Sequence, residues 1–533
     1  MTQPWYRSLR VLLLASFLMP PVGLILQWLR PGTRLGRKIL NSIYITLLGF
    51  AYLYLFFGLR LEFDGTGVYP VLSFHRPESH YTALERHRLK QRESLVSETA
   101  APAAVQPIAQ DRDESPTQAS PRPAGAVAKS PVAIISRPEP SVDWTDFRGP
   151  RRDGRYDELP IITSWPSQGL PLLWRQPVGG GYASFVIARG RAFTIEQRRH
   201  QEVVAAYDLE TGRELWTHAW DAEFHESMGG DGPRATPTWD SGRLYALGAT
   251  GEFRCLDAQN GKLIWSCDIL KENQANNLTW GMAASPLVVD DKVVVLPGGS
   301  SGKSVVAYNK ITGKLIWRVL DDQQAYTSPM LVTLAGERQI LVVSARRAMG
   351  LAAENGALLW DYPWVTDYGI NSAQPLILGP NRFFLSAGYG HGCAVVEVTH
   401  SEGGFTARTV WQNVRMKNKF TSSVLDGGYI YGLDEAILTC LDAGSGELKW
   451  KGGRYGYGQV LLASGHLIVL TESGDLVLVK ATPEGHTELA RFSAIEGKTW
   501  NHPAMAQARL LVRNANQMAC FNLRDLHRNP VKN

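Results

Sequence analysis

Hydrophobic and polar positions change their pattern three times along the chain. Two apolar stretches come first, residues 11–29 and 39–59, and neither holds a charge. Each is roughly 20 residues long, and a helix rising 1.5 Å per residue spans a hydrocarbon core of ~30 Å at that length. The pattern therefore predicts an N-terminal two-helix membrane anchor over residues 1–62. The loop between the stretches carries Arg30, Arg34, Arg37 and Lys38, whereas only Arg7 and Arg10 precede the first. Loops rich in Lys and Arg stay cytoplasmic, which puts both chain ends outside. A signal peptide is the rival reading of the first stretch, although no small-x-small cleavage site follows it.

Apolar periodicity then fades. From Thr82 to Asp143 there is no Phe, Trp or Tyr, and residues 101–140 hold eight prolines. Such a segment cannot offset its ordering entropy by burial, so residues 63–143 are expected to be a mostly disordered tether. The basic run Arg86–Arg92 within it reads either as a helix near the membrane or as solvated chain.

Beyond Trp144 one phrase repeats. Ala206-x-Asp208-x-x-Thr211-Gly212-x-x-x-Trp216 returns as Cys255-x-Asp257-x-x-Asn260-Gly261-x-x-x-Trp265 and as Ala307-x-Asn309-x-x-Thr312-Gly313-x-x-x-Trp317. Further copies end at Trp360 and Trp450, and a degenerate one at Trp411. From Trp174 onward these tryptophans are spaced 39 to 52 residues apart, a period that signals a solenoid or propeller. Apolar residues run up to an Asp or Asn, a Gly-containing turn follows, and a second strand carries the Trp, which is β and not helical patterning. Strand quartets give seven complete repeats between Tyr182 and about Ile495 and an eighth with three strands. The missing strand is available at Leu170–Arg175. The predicted fold is all-β: an eight-bladed β-propeller of four-stranded antiparallel blades over residues 144–523, closed by its N-terminal strand, with a tail at 524–533. The residue two before the turn Asp or Asn is small (Ala206, Cys255, Ala307, Cys440, Cys520), so three of the five cysteines read as packing residues.

Composition adds less. Glycine, 51 of 533, and 16 tryptophans are accounted for in part by the repeat. The net charge of +5 belongs to the N-terminus, since residues 1–98 carry +6 and the remainder is near neutral. A nucleic-acid-binding body would be basic, so that class is set aside. No CxxC or CxxCH occurs among the cysteines, which removes zinc ribbons, thioredoxin chemistry and c-type haem attachment. Gly298-x-Ser300-x-Gly302 and Gly302-Lys303-Ser304 mimic a nucleophile elbow and a P-loop, but no helix follows and a hairpin turn is expected there.

The repeated phrase resembles the tryptophan-docking repeat of the pyrroloquinoline quinone (PQQ)-type propellers. That superfamily contains the quinoprotein alcohol dehydrogenases and the non-catalytic outer-membrane assembly factor BamB. The leader Trp144-Thr-Asp-Phe-Arg-Gly-Pro150, with Asp153-Gly154 and Trp165-Pro166, is similar to the lead-in of bacterial PQQ-like repeat proteins. The resemblance implies the fold and leaves activity open. Taken with the two apolar stretches, it leads to the expectation of a bacterial inner-membrane protein with a periplasmic propeller that binds or scaffolds an envelope protein or a small anionic ligand. The alternative is a PQQ-dependent dehydrogenase of alcohols or sugars, with PQQ and Ca²⁺ as the cofactors. Against that alternative, the adjacent cysteine pair of many such enzymes is absent and the repeats average only about 44 residues. Glu196, Asp231, Asp367 and Glu435 lie near blade edges, and none stands out as a calcium ligand or catalytic acid.

Residues entering each innermost strand should converge on one mouth of the channel. In chain order they are Tyr182 and Ser184; Arg234 and Thr236; Trp280 and Ser285; Tyr326 and Ser328; Asn371 and Gln374; Lys419 and Ser422; Arg454, Tyr455 and Gln459; Lys498, Trp500 and Asn501. Aromatic faces with guanidinium and ammonium groups suit a flat, anionic ligand through stacking and charge-assisted hydrogen bonds. The plainer alternative is that these polar residues only hydrogen-bond the blade ends. No metal site is expected.

Overall fold

A computed structural model describes residues 8–30, 32–57, 59–63, 70–74, 77–100 and 143–525. Residues 186–522 form eight sheets in chain order, with blades at 186–221, 238–268, 287–319, 330–363, 376–413, 424–454, 459–493 and 504–522. Each of the first seven supplies four antiparallel strands, and the eighth supplies three. Strand Leu172–Pro177 completes blade 8 by pairing antiparallel with Gln517–Asn522, so the N-terminal strand closes the ring as the pattern predicted. The leader adds a short strand, Arg155–Tyr156, parallel to the innermost strand of blade 7.

The repeated phrase has a geometric cause. The small residue lies directly opposite the tryptophan on the neighbouring strand: Ala206 faces Trp216, Cys255 faces Trp265, Ala307 faces Trp317, Cys440 faces Trp450 and Cys520 faces Trp174. Each indole then packs on the turn of the next blade. A Cβ on Gly212 would meet Trp174 at 2.5 Å, and one on Gly313 would meet Trp265 at 2.7 Å; both glycines also have φ of +70°. Glycine is required twice over, by backbone conformation and by the neighbour's ring. The indole N–H closes the contact, from Trp174 to Leu209 O at 2.9 Å and from Trp411 to Ala443 O at 3.0 Å. Trp360 departs, donating to Gln339 Oε1 at 2.5 Å, because blade 5 has a longer hairpin in place of the glycine turn.

The first predicted span is corrected. Residues 11–29 are two helices, α1 (Leu9–Leu18) and α2 (Pro20–Leu29), broken at Met19 because Pro20 and Pro21 have no N–H to continue the ladder. Ten residues give about 15 Å, half of what crossing requires. The helices α1, α2 and α3 (Leu35–Phe57) pack together. Among the described residues, Leu35–Leu55 is the one helix long and apolar enough to cross a membrane. Inside the segment read as a tether stands α4 (Pro77–Ala100), whose first turns lie against the propeller; residues 101–142 fall outside the described residues.

Candidate functional site

At one mouth of the channel the strands enclose a cavity of ≈ 180 Å³. The connections entering the innermost strands deliver Tyr182, Arg234, Trp280, Tyr326, Phe420 and Trp500 to its wall. The hairpin between the second and third strands of blade 5 adds Tyr389, and the leader adds Phe147. The rings form a cage. Tyr182 stacks on Trp500 with centroids 5.6 Å apart, Phe420 lies 4.5 Å from Trp500, and Trp280 meets Tyr326 edge-on at 5.7 Å. Such offset and edge contacts match the ring quadrupoles. Burial pushes the Tyr326 and Tyr389 phenols up to about 12, so both remain neutral donors at ordinary pH.

The cations of this region are engaged with rings and carbonyls. Arg234 lies over Phe224 at 4.6 Å and Tyr182 at 5.4 Å, and its guanidinium donates to Gly230 O at 2.6 Å and to Gly232 O. Lys419 sits over Tyr389 at 4.9 Å and Tyr457 at 5.1 Å, and Lys498 over Trp500 at 4.3 Å. The aromatic faces are thus stabilised by cation–π contacts.

The polar residues expected beside the aromatics do something else: they tie the blades into a closed ring. Ser184 N donates to Thr236 Oγ1, Thr236 N to Ser285 Oγ, and Ser285 N to Ser328 Oγ, at 2.9 to 3.0 Å. Gln374 Nε2 reaches Ser328 O at 2.8 Å and Gln374 N reaches Ser422 Oγ at 3.0 Å. Gln459 Nε2 bridges Phe420 O and Trp500 O, and Asn501 Nδ2 bridges Gly181 O and Ala183 O. All eight blade junctions are crossed. The plainer alternative therefore describes Gln374, Gln459 and Asn501, none of which lines the cavity. Asn371 is buried too, with its Nδ2 on Ser344 O at 2.9 Å.

Two expected residues lie elsewhere. Arg454 is exposed at the end of the outermost strand of blade 6, because that strand runs on through it instead of ending earlier. Tyr455 is 2% exposed in the core between blades 6 and 7, its hydroxyl donating to Glu488 Oε2 at 3.0 Å. Conversely, Phe147, Tyr389, Phe420 and His502 join the cavity without having been singled out. The alternation Phe420–Ser422 and Trp500–His502 was readable; Tyr389 needed the hairpin to be placed on the mouth face.

The leader closes the channel below the cavity. Phe147 packs edge-on against His502 at 4.9 Å. Arg152 donates to Pro329 O at 2.7 Å and pairs with Asp146 at 3.0 Å, while Arg148 donates to Ser423 O at 2.9 Å. Burial, with Arg148 nearby, holds His502 well below its ordinary value, so the imidazole is neutral. Arg148 itself is pushed down to about 10 by burial. The hairpin nature of Gly298–Ser304 is also plain, with Gly298 N on Ser304 O at 3.1 Å.

Among the described residues the cavity wall carries one histidine, several hydroxyls and no carboxylate or thiol. The nearest acids are taken: Glu226 by the Met228 and Gly229 amides, Glu472 by the Trp500 indole at 2.8 Å, and Glu435 by the Tyr457 hydroxyl at 3.2 Å. Among the described residues no group of three or more His, Cys, Asp and Glu is placed to hold a metal. The arrangement favours stacking a flat or bulky group over moving a proton.

Residues 200–452 match a family model described as outer membrane protein assembly factor BamB. The chain is 22% identical over 382 residues to BamB of Bordetella pertussis, covering 62% of this chain and 92% of that protein. It is 25% identical over 240 residues to quinohemoprotein alcohol dehydrogenase ADH-IIG of Pseudomonas putida, covering 43% of this chain. That alignment spans about a third of the dehydrogenase, 32% of its length. The solved structure of ADHIIG from P. putida HK5 has the same fold, with a TM-score of 0.53 at 13% identity over 74% of this chain and 82% of that one. With its eight closed blades and its docking phrase, this chain is an eight-bladed β-propeller similar over part of its length to BamB and to quinohemoprotein alcohol dehydrogenase.

Proposed function

We propose that this propeller is a binding module whose aromatic mouth receives a flat or bulky group of an envelope partner or a small ligand. The observation that carries this reading is the cage itself: half-buried and buried aromatic rings around a preformed cavity, with the surrounding polar groups already used to lock the blades. In this reading α3 holds the protein in the bacterial inner membrane, and the Arg/Lys-rich loop before it keeps that end cytoplasmic, so the propeller is periplasmic. With α1 and α2 too short to cross, the N-terminus belongs on the same side as that loop. The BamB relatives, named as assembly factors, support a partner in the envelope.

The quinohemoprotein match supports a second reading, PQQ-dependent oxidation. The donor set does not fit its usual Ca²⁺ partner, since no carboxylate lines the cavity. Two measurements separate the readings. A photo-crosslinking residue at Tyr368, which is 74% exposed beside Tyr389, should trap a discrete partner in intact cells, and Trp500→Ala should abolish the adduct. Dye-linked alcohol or sugar oxidation by purified protein with added PQQ and Ca²⁺ would favour the enzyme. Absence of an adduct, together with no quenching of Trp280 and Trp500 fluorescence by PQQ, would remove binding from the mouth.

A further inference from the structure

The closing strand is the point where a propeller ring opens, and in this chain α4 lies across it. The inward face of α4 is the stripe His80, Leu84, His87, Arg88 and Gln91, spaced as one side of a helix. Leu84 is 1% and Arg88 3% exposed. Three donors from α4 converge on Gln176 Oε1, at the end of the closing strand: Arg88 Nη1 at 2.9 Å, Gln91 Nε2 at 3.0 Å and His87 Nε2 at 3.1 Å. Arg88 Nη2 donates to Pro177 O at 3.0 Å, and His80 Nε2 to Val178 O at 2.8 Å. Residues 176–178 are where the chain leaves blade 8 for blade 1, and Tyr182 of the mouth follows them.

The same helix grips blade 1. Arg88 Nε lies 3.3 Å from Glu214, and its guanidinium stacks over the Tyr207 ring at 5.0 Å. Glu214 is also held by Arg198 at 2.6 Å, and Arg198 in turn reaches the buried Glu196 at 2.6 Å. On the outer side Arg199 forks onto both oxygens of Glu85 at 2.7 and 3.0 Å, which holds that carboxyl below its ordinary range.

We propose that α4 is an intramolecular clasp that bridges blades 8 and 1 across the closing seam, with Arg88 as its key. The closure of the ring is thereby coupled to the segment that leads to the N-terminal helices. The physical reason is that Arg88 meets an amide oxygen, a main-chain carbonyl and a buried carboxylate at once, so its loss takes a donor from Pro177 O and weakens the shared contacts at Gln176 and Glu214 together. The composition of the segment hid this, because the docked face is polar and carries no Phe or Trp.

Hydrogen exchange of the full chain in detergent, read by mass spectrometry, tests the clasp. Residues 79–94 should be protected. Arg88→Ala should speed exchange about tenfold or more in both 79–94 and 172–178 while blades 3 to 5 keep their rates. Because Arg88 is buried, a surface pair provides a second variant: Glu85→Arg or Arg199→Glu alone should loosen 79–94, and the two together should restore it. The proposal is overturned if 79–94 exchanges like unstructured chain in the wild type. It is equally overturned if Arg88→Ala loosens 79–94 without changing 172–178, or if neither the alanine variant nor the charge swap alters either segment.

Discussion

Trp174 and Trp500 sit in the same ring with the same 9% exposure, yet they are held in opposite ways. Trp174 belongs to a belt of indoles near the outer edge, where it lies on the turn of the next blade with its N–H on a main-chain carbonyl. Trp500 belongs to the cage, where Tyr182, Phe420 and the Lys498 ammonium pack on it, its N–H meets the Glu472 carboxylate and part of the ring lines a cavity. The belt indole is complementary to its own chain. The cage indole is only partly so, and what it lacks is the group we assign to a partner. Burial alone therefore does not separate structural from functional aromatics; the identity of the packing partner does.

Breaking the belt should cost most. Trp174→Ala removes an indole from between Gly212 and Cys520 at the closing seam, and a loss of about 3–5 kcal/mol is expected, read as a lower urea midpoint. A change of under about 1 kcal/mol would mean that the blades hold together without their tryptophans. The belt region also has one costly acid. Glu202 is fully buried opposite Trp220, accepting from Ala249 N at 2.7 Å, and burial pushes its carboxyl up to about 7. A raised carboxyl pKa penalises the ionised native state, so stability should fall as pH rises from about 4.5 to 7 and then level off. Glu202→Gln should match wild type near the lower limit and exceed it by on the order of 3 kcal/mol above the upper one. Equal pH profiles would show that burial does not raise this carboxyl.

A smaller effect isolates the turn. Gly313→Ala places a methyl 2.7 Å from Trp265 at a φ of +70°, and about 1–3 kcal/mol should be lost. Gly336→Ala is the control, since its φ is +80° but nothing lies within 4 Å of the added methyl. The difference between the two variants measures indole docking apart from backbone strain.

These contrasts explain what could be read from the chain. The belt was legible because it repeats: five glycine turns and seven tryptophans impose a period, and small residues at 206, 255, 307, 440 and 520 mark the facing strand. The cage was half legible. Tyr182, Arg234, Trp280, Tyr326 and Trp500 followed from counting positions before each innermost strand, but Asn371, Gln374, Gln459 and Asn501 shared that position and proved to be rivets between blades. Adjacent residues on a strand point to opposite sides, so a stretch near the mouth holds both kinds. The split of residues 11–29 was signalled by Pro20-Pro21 and outweighed by hydropathy. The docking of α4 left little apolar signal, since Leu84 is the one aliphatic side chain in the docked stripe and the anchor is an arginine.

The weakest variant for stability should be the strongest for function. Trp500→Ala empties one wall of the cage, but the ring beneath it stays tied, because Gln459 reaches the main-chain carbonyl of residue 500 and not its side chain. The strands of blades 7 and 8 keep their ladders, and the belt indoles are untouched. Unfolding should therefore shift by less than for Trp174→Ala, about 1–2 kcal/mol, from lost contacts with Tyr182 and Phe420 and the lost indole bond to Glu472. The Tyr368 crosslink should nevertheless disappear, since the partner's group loses the ring it would stack on. Phe420→Ala should act in the same direction with a smaller loss of adduct, because one aromatic wall remains. If Trp500→Ala destabilised the protein as much as Trp174→Ala while the adduct persisted, the cage would be a second belt, built for packing, and the distinction drawn from the partners of these indoles would fail.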